Sequence, residues 1–109
     1  MPIDSGVELI FDATCPNVDA TRRQLRDALV RTGRLPMWTE WDRATPDAPA
    51  YAQRYASPTV LVAGRDVAGA CELDAGAGCR VYRDATGAAL RAPTVDAIVA
   101  ALTAAEPVV

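Results

Sequence analysis

The chain has 109 residues, half of them hydrophobic, which is the size of one compact domain with a core of its own, residues 1-109. Fourteen acidic and eleven basic residues give a net charge of -3, and no basic cluster is longer than Arg22-Arg23, which argues against a nucleic-acid or anionic-membrane surface. The chain contains no histidine, which excludes Ser-His-Asp and Cys-His catalysis, histidine-bearing zinc sites and a histidine pH switch.

The N-terminal residues predict a strand and no export signal. "MPIDSGVELIF" lacks a charged leader followed by an apolar stretch and a cleavage site, and no apolar run reaches membrane-spanning length, so we expect a cytoplasmic protein. Three cysteines are an odd number for a structural disulfide framework, which leaves free thiols, redox chemistry or metal ligation. The short apolar run Val7–Phe11 has the length of a strand.

A first helix is predicted directly after this strand. Cys15 is expected to be its N-cap and Pro16 its first residue, where the missing N–H costs nothing. The helix should continue to Gly33. Its apolar face is formed by Val18, Leu25, Ala28 and Leu29.

The middle of the chain predicts a second strand and a second helix. "MWTEW", residues Met37–Trp41, alternates in the manner of a strand covered on one side, and its polar flanks favour a sheet edge. After the proline-rich turn "RATPDAPA", Asp47 is expected to cap a short helix that ends near Ala56.

The second half predicts a hairpin, a loop and a last helix. "SPTVLVAGRDV" places Pro58 at a strand entry and a Gly-Arg-Asp turn before a further strand. The composition of residues 69–80 indicates a loop. After it, "RVYRD" is predicted to be a short extended piece and "ATGAALRAP" to be a turn. Thr94 should cap a last helix that ends at Pro107. Its apolar stripe consists of Val95, Ile98, Val99 and Leu102.

The resulting order is β-α-β-α-β-β-α, which predicts an α/β protein with a four-stranded mixed sheet. The order, with "TCPNV" after the first strand and "SPT" before the third, resembles the thioredoxin and glutaredoxin fold. The resemblance covers nearly the whole chain and implies a three-layer domain. It places Cys15 at the nucleophilic cysteine and Pro58 at the cis-proline, whereas Val18 stands where the second cysteine of a Cys-x-x-Cys pair would be.

A narrower resemblance joins four segments in order: "FDATCPN", "SPTVLVAGRD", "CRVYRDATG" and "APTVDAIVAAL". They are similar to small bacterial thioredoxin-like proteins with a CPN motif, some labelled alkylmercury lyase-like. A shared thiol does not imply that reaction, so we do not expect alkylmercury lyase activity. The pattern includes Cys15 and Cys79, whereas Cys71 is particular to this chain.

Thiol–disulfide exchange is the leading functional hypothesis. A helix N-terminus stabilises an anion and should lower the pKa of the Cys15 thiol, although a free cysteine at this place could equally be packing material. In the predicted topology Cys71 and Cys79 lie at the same sheet end as Cys15, so Cys79 could resolve a mixed disulfide. A local Cys71–Cys79 bridge, or two unrelated thiols, is an equal alternative. Pro58 would then shape the substrate groove, and glutathione could serve as co-substrate with no bound cofactor required.

Two alternatives remain open. The first is a module that binds a thiophilic metal such as mercury through Cys15, Cys79 and Cys71, although their spacing matches no compact zinc pattern. In the second, the domain has no catalytic role and self-associates through the exposed edge strand at Met37–Trp41.

Overall fold

The computed structural model describes residues 6–68, 82–83, 86–90 and 92–105. It contains two α-helices, a 3₁₀ helix and six strands in this part of the chain. They are β1 (Val7–Phe11), α1 (Val18–Arg31), β2 (Thr39–Asp42), the 3₁₀ helix (Ala50–Arg54), β3 (Thr59–Val62), β4 (Arg65–Asp66), β5 (Tyr82–Arg83), β6 (Ala89–Leu90) and α2 (Val95–Ala105).

Four strands form one mixed sheet in the order β2-β1-β3-β4, which confirms the α/β class. Strand β1 pairs in parallel with β2 and antiparallel with β3, and β3 pairs antiparallel with β4. Strands β1 and β2 are parallel, and β3 runs against them. The C-terminal ends of β1 and β2 therefore lie beside the N-terminal end of β3, along the edge of the sheet that the strand ends form. Residues that follow β1 and β2 therefore come together with those that precede β3.

The two α-helices cover one face of this sheet. The alternating residues Val7 and Leu9 of β1 and Val60 and Val62 of β3 point into a core shared with α1 and α2. The members of this core from the helices are Val18, Leu25, Ala28, Leu29, Ile98 and Leu102. Since apolar side chains of both helices meet here with those of the two central strands, this face holds most of the buried core.

A smaller cluster covers the opposite face. Ile10 and Leu61 are buried there against Ala52 of the 3₁₀ helix, with Trp41 and Tyr55 packed around them. The strand β2 is an edge strand, as predicted, but all four of its residues are half-buried. Trp41 of β2 packs against the smaller cluster, and Trp38, the residue before the strand, packs against the helical core.

The predicted second helix is a 3₁₀ helix instead of an α-helix. Its N-cap is the extended residue Pro49, without a side-chain hydrogen bond, so the predicted cap at Asp47 is wrong. Proline has no N–H and restricts the residue before it to extended conformations, so two prolines in "TPDAP" delay the start of the helix. Only five residues remain before the chain becomes extended at Tyr55.

The hairpin of β3 and β4 is confirmed, with its turn one residue earlier than predicted. Ala63 and Gly64 both have positive φ angles, of 51° and 80°, and the flanking residues Val62 and Arg65 are paired. Two positive φ angles are typical of the two-residue turn that matches strand twist. The predicted turn is Gly-Arg-Asp, whereas Arg65 and Asp66 already form β4.

The end of the chain contains a pair of strands, and the first of them, β5, lies in the predicted extended piece "RVYRD". Strands β5 and β6 form a separate two-stranded sheet, so "ATGAALRAP" is more than a turn. The predicted cap of α2 is confirmed, because the Ala97 N–H donates to Thr94 Oγ1 at 3.0 Å. Pro107 and the predicted loop at residues 69–80 lie outside the described residues. Within the described part of the chain, neither α-helix has the length and apolarity needed to cross a membrane.

Candidate functional site

Cys15 lies in the turn that connects β1 to α1. Its N–H donates to the Asp12 carbonyl at 2.9 Å, and the helix begins three residues later with Asn17 as N-cap. The prediction of Cys15 as N-cap and Pro16 as first helical residue is therefore wrong. The reason is local: Cys15 closes a turn onto Asp12, and the first helical bond runs from the Thr21 N–H to the Asn17 carbonyl.

The sulfur of Cys15 is part of a disulfide. The residue is 8% exposed and belongs to the core on the helical face. The other two cysteines of the chain, Cys71 and Cys79, lie outside the described residues. Because a disulfide-bonded sulfur does not titrate, the lowered thiol pKa stays a prediction for the reduced form.

Asp12 is held by two partners at the same edge of the sheet. Both of its carboxylate oxygens accept from Arg43 Nη1, at 2.9 and 3.1 Å, and its N–H donates to Ser57 Oγ at 2.9 Å. Arg43 directly follows β2, and Ser57 precedes β3 by two residues. These bonds join the three chain segments around the Cys15 turn.

Pro58 lies at the start of β3, as the resemblance implies. The Ser57-Pro58 peptide bond is cis, and Pro58 is fully buried. Its carbonyl accepts a hydrogen bond from the hydroxyl of Tyr82, which is 4% exposed. Strand β5 is thus attached, through Tyr82, to the sheet edge that carries Asp12.

A pocket of about 330 Å³ opens beside Cys15. One wall is formed by Arg22 of α1, whose guanidinium carbon lies 5.4 Å from the centre of the Phe11 ring, a cation–π distance. The residues that line the pocket are Phe11, Ala13, Cys15, Pro16, Val18, Asp19 and Arg22. Cys15 therefore lines a concave surface together with apolar residues and two charged ones.

Arg22 connects this pocket to the edge strand. Its Nε and Nη2 donate to the two carboxylate oxygens of Glu40, at 2.9 and 2.8 Å, and its Nη1 donates to Asp19 at 3.0 Å. Trp38 Nε1 also donates to Glu40, at 2.9 Å. The two-pronged contact between Arg22 and Glu40 fixes the orientation of the guanidinium over the Phe11 ring.

The same contact shifts the pKa values of both partners. The pKa of Glu40 lies below its ordinary value, chiefly because Arg22 donates to the carboxylate, while partial burial opposes this and the Trp38 bond adds to it. The pKa of Arg22 is raised, chiefly by its hydrogen bond to Glu40. Both groups are therefore charged at neutral pH.

The described residues contain no group of three or more Cys, Asp or Glu side chains that could hold a metal ion. Of the three cysteines proposed as ligands, Cys15 is described, and Cys71 and Cys79 are not. A sulfur in a disulfide is not a thiolate and is not available as a ligand. A soft-metal site at Cys15, Cys71 and Cys79 stays a prediction, and it requires the reduced protein.

Comparison of the chain with protein families, with curated proteins and with solved structures gave no match. The site is therefore interpreted from its own geometry.

Several residues around Cys15 were missed in the sequence. Arg43 could have been found, because it follows a strand parallel to β1 and so must lie beside Asp12. Glu40 lies in a predicted strand, but no local pattern in the sequence indicates that Arg22 is its partner. No local sequence pattern indicates that Tyr82 belongs to the site, since its bond to Pro58 joins positions 24 apart in the chain.

Proposed function

We propose that the protein carries out thiol–disulfide exchange through Cys15. The observation that carries the proposal is that Cys15 is disulfide-bonded beside a pocket at the end of β1. A cysteine that only filled space in the core would need neither a bonded sulfur nor an adjoining pocket. The proposal keeps the predicted cytoplasmic location, where glutathione is a suitable co-reactant.

We further propose that the partner of Cys15 is Cys79. Tyr82 follows Cys79 by three residues, a stretch of chain that spans at most about 11 Å. Tyr82 is bonded to the Pro58 carbonyl, at the edge of the sheet that carries the Cys15 turn. Cys71 is eleven residues from Tyr82 in the sequence, so this contact favours Cys79 as the proposed partner.

The sheet topology supports a fold of the thioredoxin type. Strands β1 and β2 are a parallel pair joined through α1, and β3 and β4 are an antiparallel hairpin on the other side of β1. Apolar residues of α1 and α2 share the core on one sheet face, and the 3₁₀ helix takes the place of a helix on the other. We propose this fold as the three-layer arrangement that brings Cys15 to the start of β3.

The reaction proceeds through a mixed disulfide. In the reduced protein the Cys15 thiolate attacks a substrate disulfide, forms a bond to one of its sulfurs and releases the other as a thiolate. The Cys79 thiolate then attacks the Cys15 sulfur, which releases the second substrate thiolate and forms the Cys15–Cys79 disulfide. The substrate gains two electrons that the protein loses, and two glutathione thiols restore the protein while they form one glutathione disulfide.

An exchange assay on four proteins tests the proposal. Reduction of a small disulfide by glutathione is followed with wild type, Cys15→Ser, Cys79→Ser and Cys71→Ser. We expect Cys15→Ser to remove all rate above background, Cys79→Ser to retain only the slower route in which glutathione itself resolves the mixed disulfide, and Cys71→Ser to leave the rate unchanged. Full rate in the Cys15→Ser protein would contradict the proposal, whereas an effect of Cys71→Ser in place of Cys79→Ser would change only the partner.

A further inference from the structure

The pocket beside Cys15 carries one carboxylate whose charge is poorly balanced. Asp19 lies in the first turn of α1, lines the pocket and has a side chain that is 81% exposed. It accepts one hydrogen bond from Arg22. Because Arg22 directs its Nε and Nη2 at Glu40, that pair balances most of the guanidinium charge, and Asp19 presents its negative charge to solvent.

The other charged groups near the pocket are matched or lie elsewhere. Asp12 binds Arg43, whose side chain is 12% exposed, so this pair contributes no net charge. Arg23 is one turn along α1 from Asp19 and lines a neighbouring groove that Asp19 and Arg22 also line, but it does not line this pocket. Among the described residues, Asp19 therefore decides the sign of the charge that faces a molecule approaching Cys15.

On the basis of the proposed thiol exchange, we propose that this pocket selects cationic or neutral thiols and disulfides over anionic ones, with Asp19 as the specificity-determining residue. A positive group that enters the pocket is attracted by the exposed carboxylate, and a negative group is repelled. The preferred substrates would be peptide disulfides or thiols with basic or uncharged neighbours. Glutathione, which carries a net negative charge, would react more slowly than a cationic thiol of equal nucleophilicity.

Reduction of the Cys15 disulfide by small thiols measures this preference. One thiolate attacks the protein disulfide, which forms a mixed disulfide and frees one protein thiolate. A second thiolate attacks the mixed disulfide, which releases the small disulfide and the second protein thiolate. The first step brings the charged reagent to the pocket in every case.

The experiment compares three thiols that differ in charge: cysteamine, 2-mercaptoethanol and 2-mercaptoethanesulfonate. Samples are quenched with acid and the freed protein thiols are labelled with a maleimide, and each rate is divided by that thiol's rate with hydroxyethyl disulfide. In wild type we expect the cationic thiol to exceed the anionic one about fivefold at low ionic strength, with the ratio near one in roughly 1 M salt.

Three variants assign the preference to individual residues. Asp19→Asn should bring the cation-to-anion ratio close to one, and Arg22→Gln should raise it, because Glu40 then loses its partner. Asp27→Asn is the matched control: it changes the net charge by the same amount on the same helix, away from the pocket, and should leave the ratio unchanged. Equal ratios in wild type and Asp19→Asn, equal effects of the two aspartate variants, or a preference of wild type for the sulfonate would overturn the selectivity.

The outcomes also separate this inference from the proposed function. If all three thiols reduce the Cys15 disulfide at equal corrected rates, exchange stands and the charge selectivity fails. If none of them reduces it, the exchange proposal fails and the selectivity with it.

Discussion

Glu40 accepts more side-chain hydrogen bonds than the other carboxylates described around the site. It accepts two hydrogen bonds from Arg22 and one from Trp38, and its side chain is 30% exposed. A carboxylate that accepts from three donors, on a nearby helix and on the residue before its own strand, contributes more than an isolated surface ion pair. The contact joins α1, which carries Asp19 at the pocket, to the edge strand β2.

We therefore expect Glu40→Gln to lower the free energy of unfolding by about 1 kcal/mol at pH 7. The folded-state pKa of Glu40 is below its unfolded value, so its contribution is full above roughly pH 4.3 and is lost as the pH falls through the lower folded value. Denaturant unfolding of both proteins between pH 7 and pH 3 measures the difference, which should shrink toward the acid end.

The control for this measurement is Asp27→Asn. Asp27 accepts from Arg31 at 3.2 Å in an exposed pair one turn apart on α1, and we expect a change below about 0.5 kcal/mol. A Glu40→Gln effect as small as that of the control, or one that grows toward acid pH, would contradict the assigned role of Glu40.

At the scale of elements, the two α-helices begin in different ways. Helix α1 starts at Asn17 without a side-chain hydrogen bond, whereas α2 has a side-chain cap at Thr94. The C-terminus of α1 is fixed by the chain that follows it, since the Thr32 and Gly33 N–H groups donate to helix carbonyls and Gly33 has a φ of 74°. In contrast to α1, the N-terminus of α2 depends on the hydrogen bond that the Thr94 side chain accepts.

Substitution of Thr94 by alanine should destabilise the protein by about 1 kcal/mol, because the Ala97 N–H loses its acceptor. Thr103 is a suitable control, since it is an exposed threonine inside the same helix. Thr103→Ala should be neutral or slightly stabilising, because alanine has the higher helix propensity. Thermal unfolding of the two variants measures both changes, and equal effects would show that the cap contributes nothing.

The elements with clear periodicity were predictable from the sequence. The apolar positions of α1 and α2, the strand β1 and the hairpin after Pro58 all follow from spacing and turn residues. The 3₁₀ helix was not predictable in this way. Its local signals favour a cap at Asp47, but the prolines of this segment shorten the helix. Strand β5 lies in the predicted extended piece "RVYRD", whereas β6 was missed because two residues are too few to show alternation.

The candidate site was predictable in part for the same reason. Cys15 and Pro58 stand next to elements that the sequence identifies, so their place at one sheet edge follows from strand direction. The contacts of Tyr82 with Pro58 and of Arg22 with Glu40 depend on side chains that meet only after the domain has packed. No local pattern encodes such pairs.

At the scale of the whole molecule, the Cys15 disulfide adds a covalent constraint to the chain. Either remaining cysteine would close a loop of roughly 60 residues, and a loop of that length stabilises the folded state by about 4 kcal/mol in the chain-entropy account. This value depends only weakly on which cysteine is the partner, because it varies with the logarithm of loop length.

Reduction should therefore lower the free energy of unfolding substantially, by about 4 kcal/mol at most. Urea unfolding of the oxidised protein and of the protein kept reduced with a phosphine measures the change. Cys71→Ser should behave as wild type in both states if Cys79 is the partner. Equal stability of the oxidised and reduced proteins would contradict a disulfide that restrains the fold.

The most direct test of the central claim is to trap the mixed disulfide at Cys15. Reduced Cys79→Ser protein is mixed with a small symmetrical disulfide, and the products are identified by mass spectrometry of intact protein and peptides. We predict one adduct, on Cys15, that persists in this variant, whereas wild type passes on to an internal bond between Cys15 and Cys79. A Cys15 that forms no adduct, or a wild type that retains its adduct as long as the variant does, would contradict thiol exchange at this site.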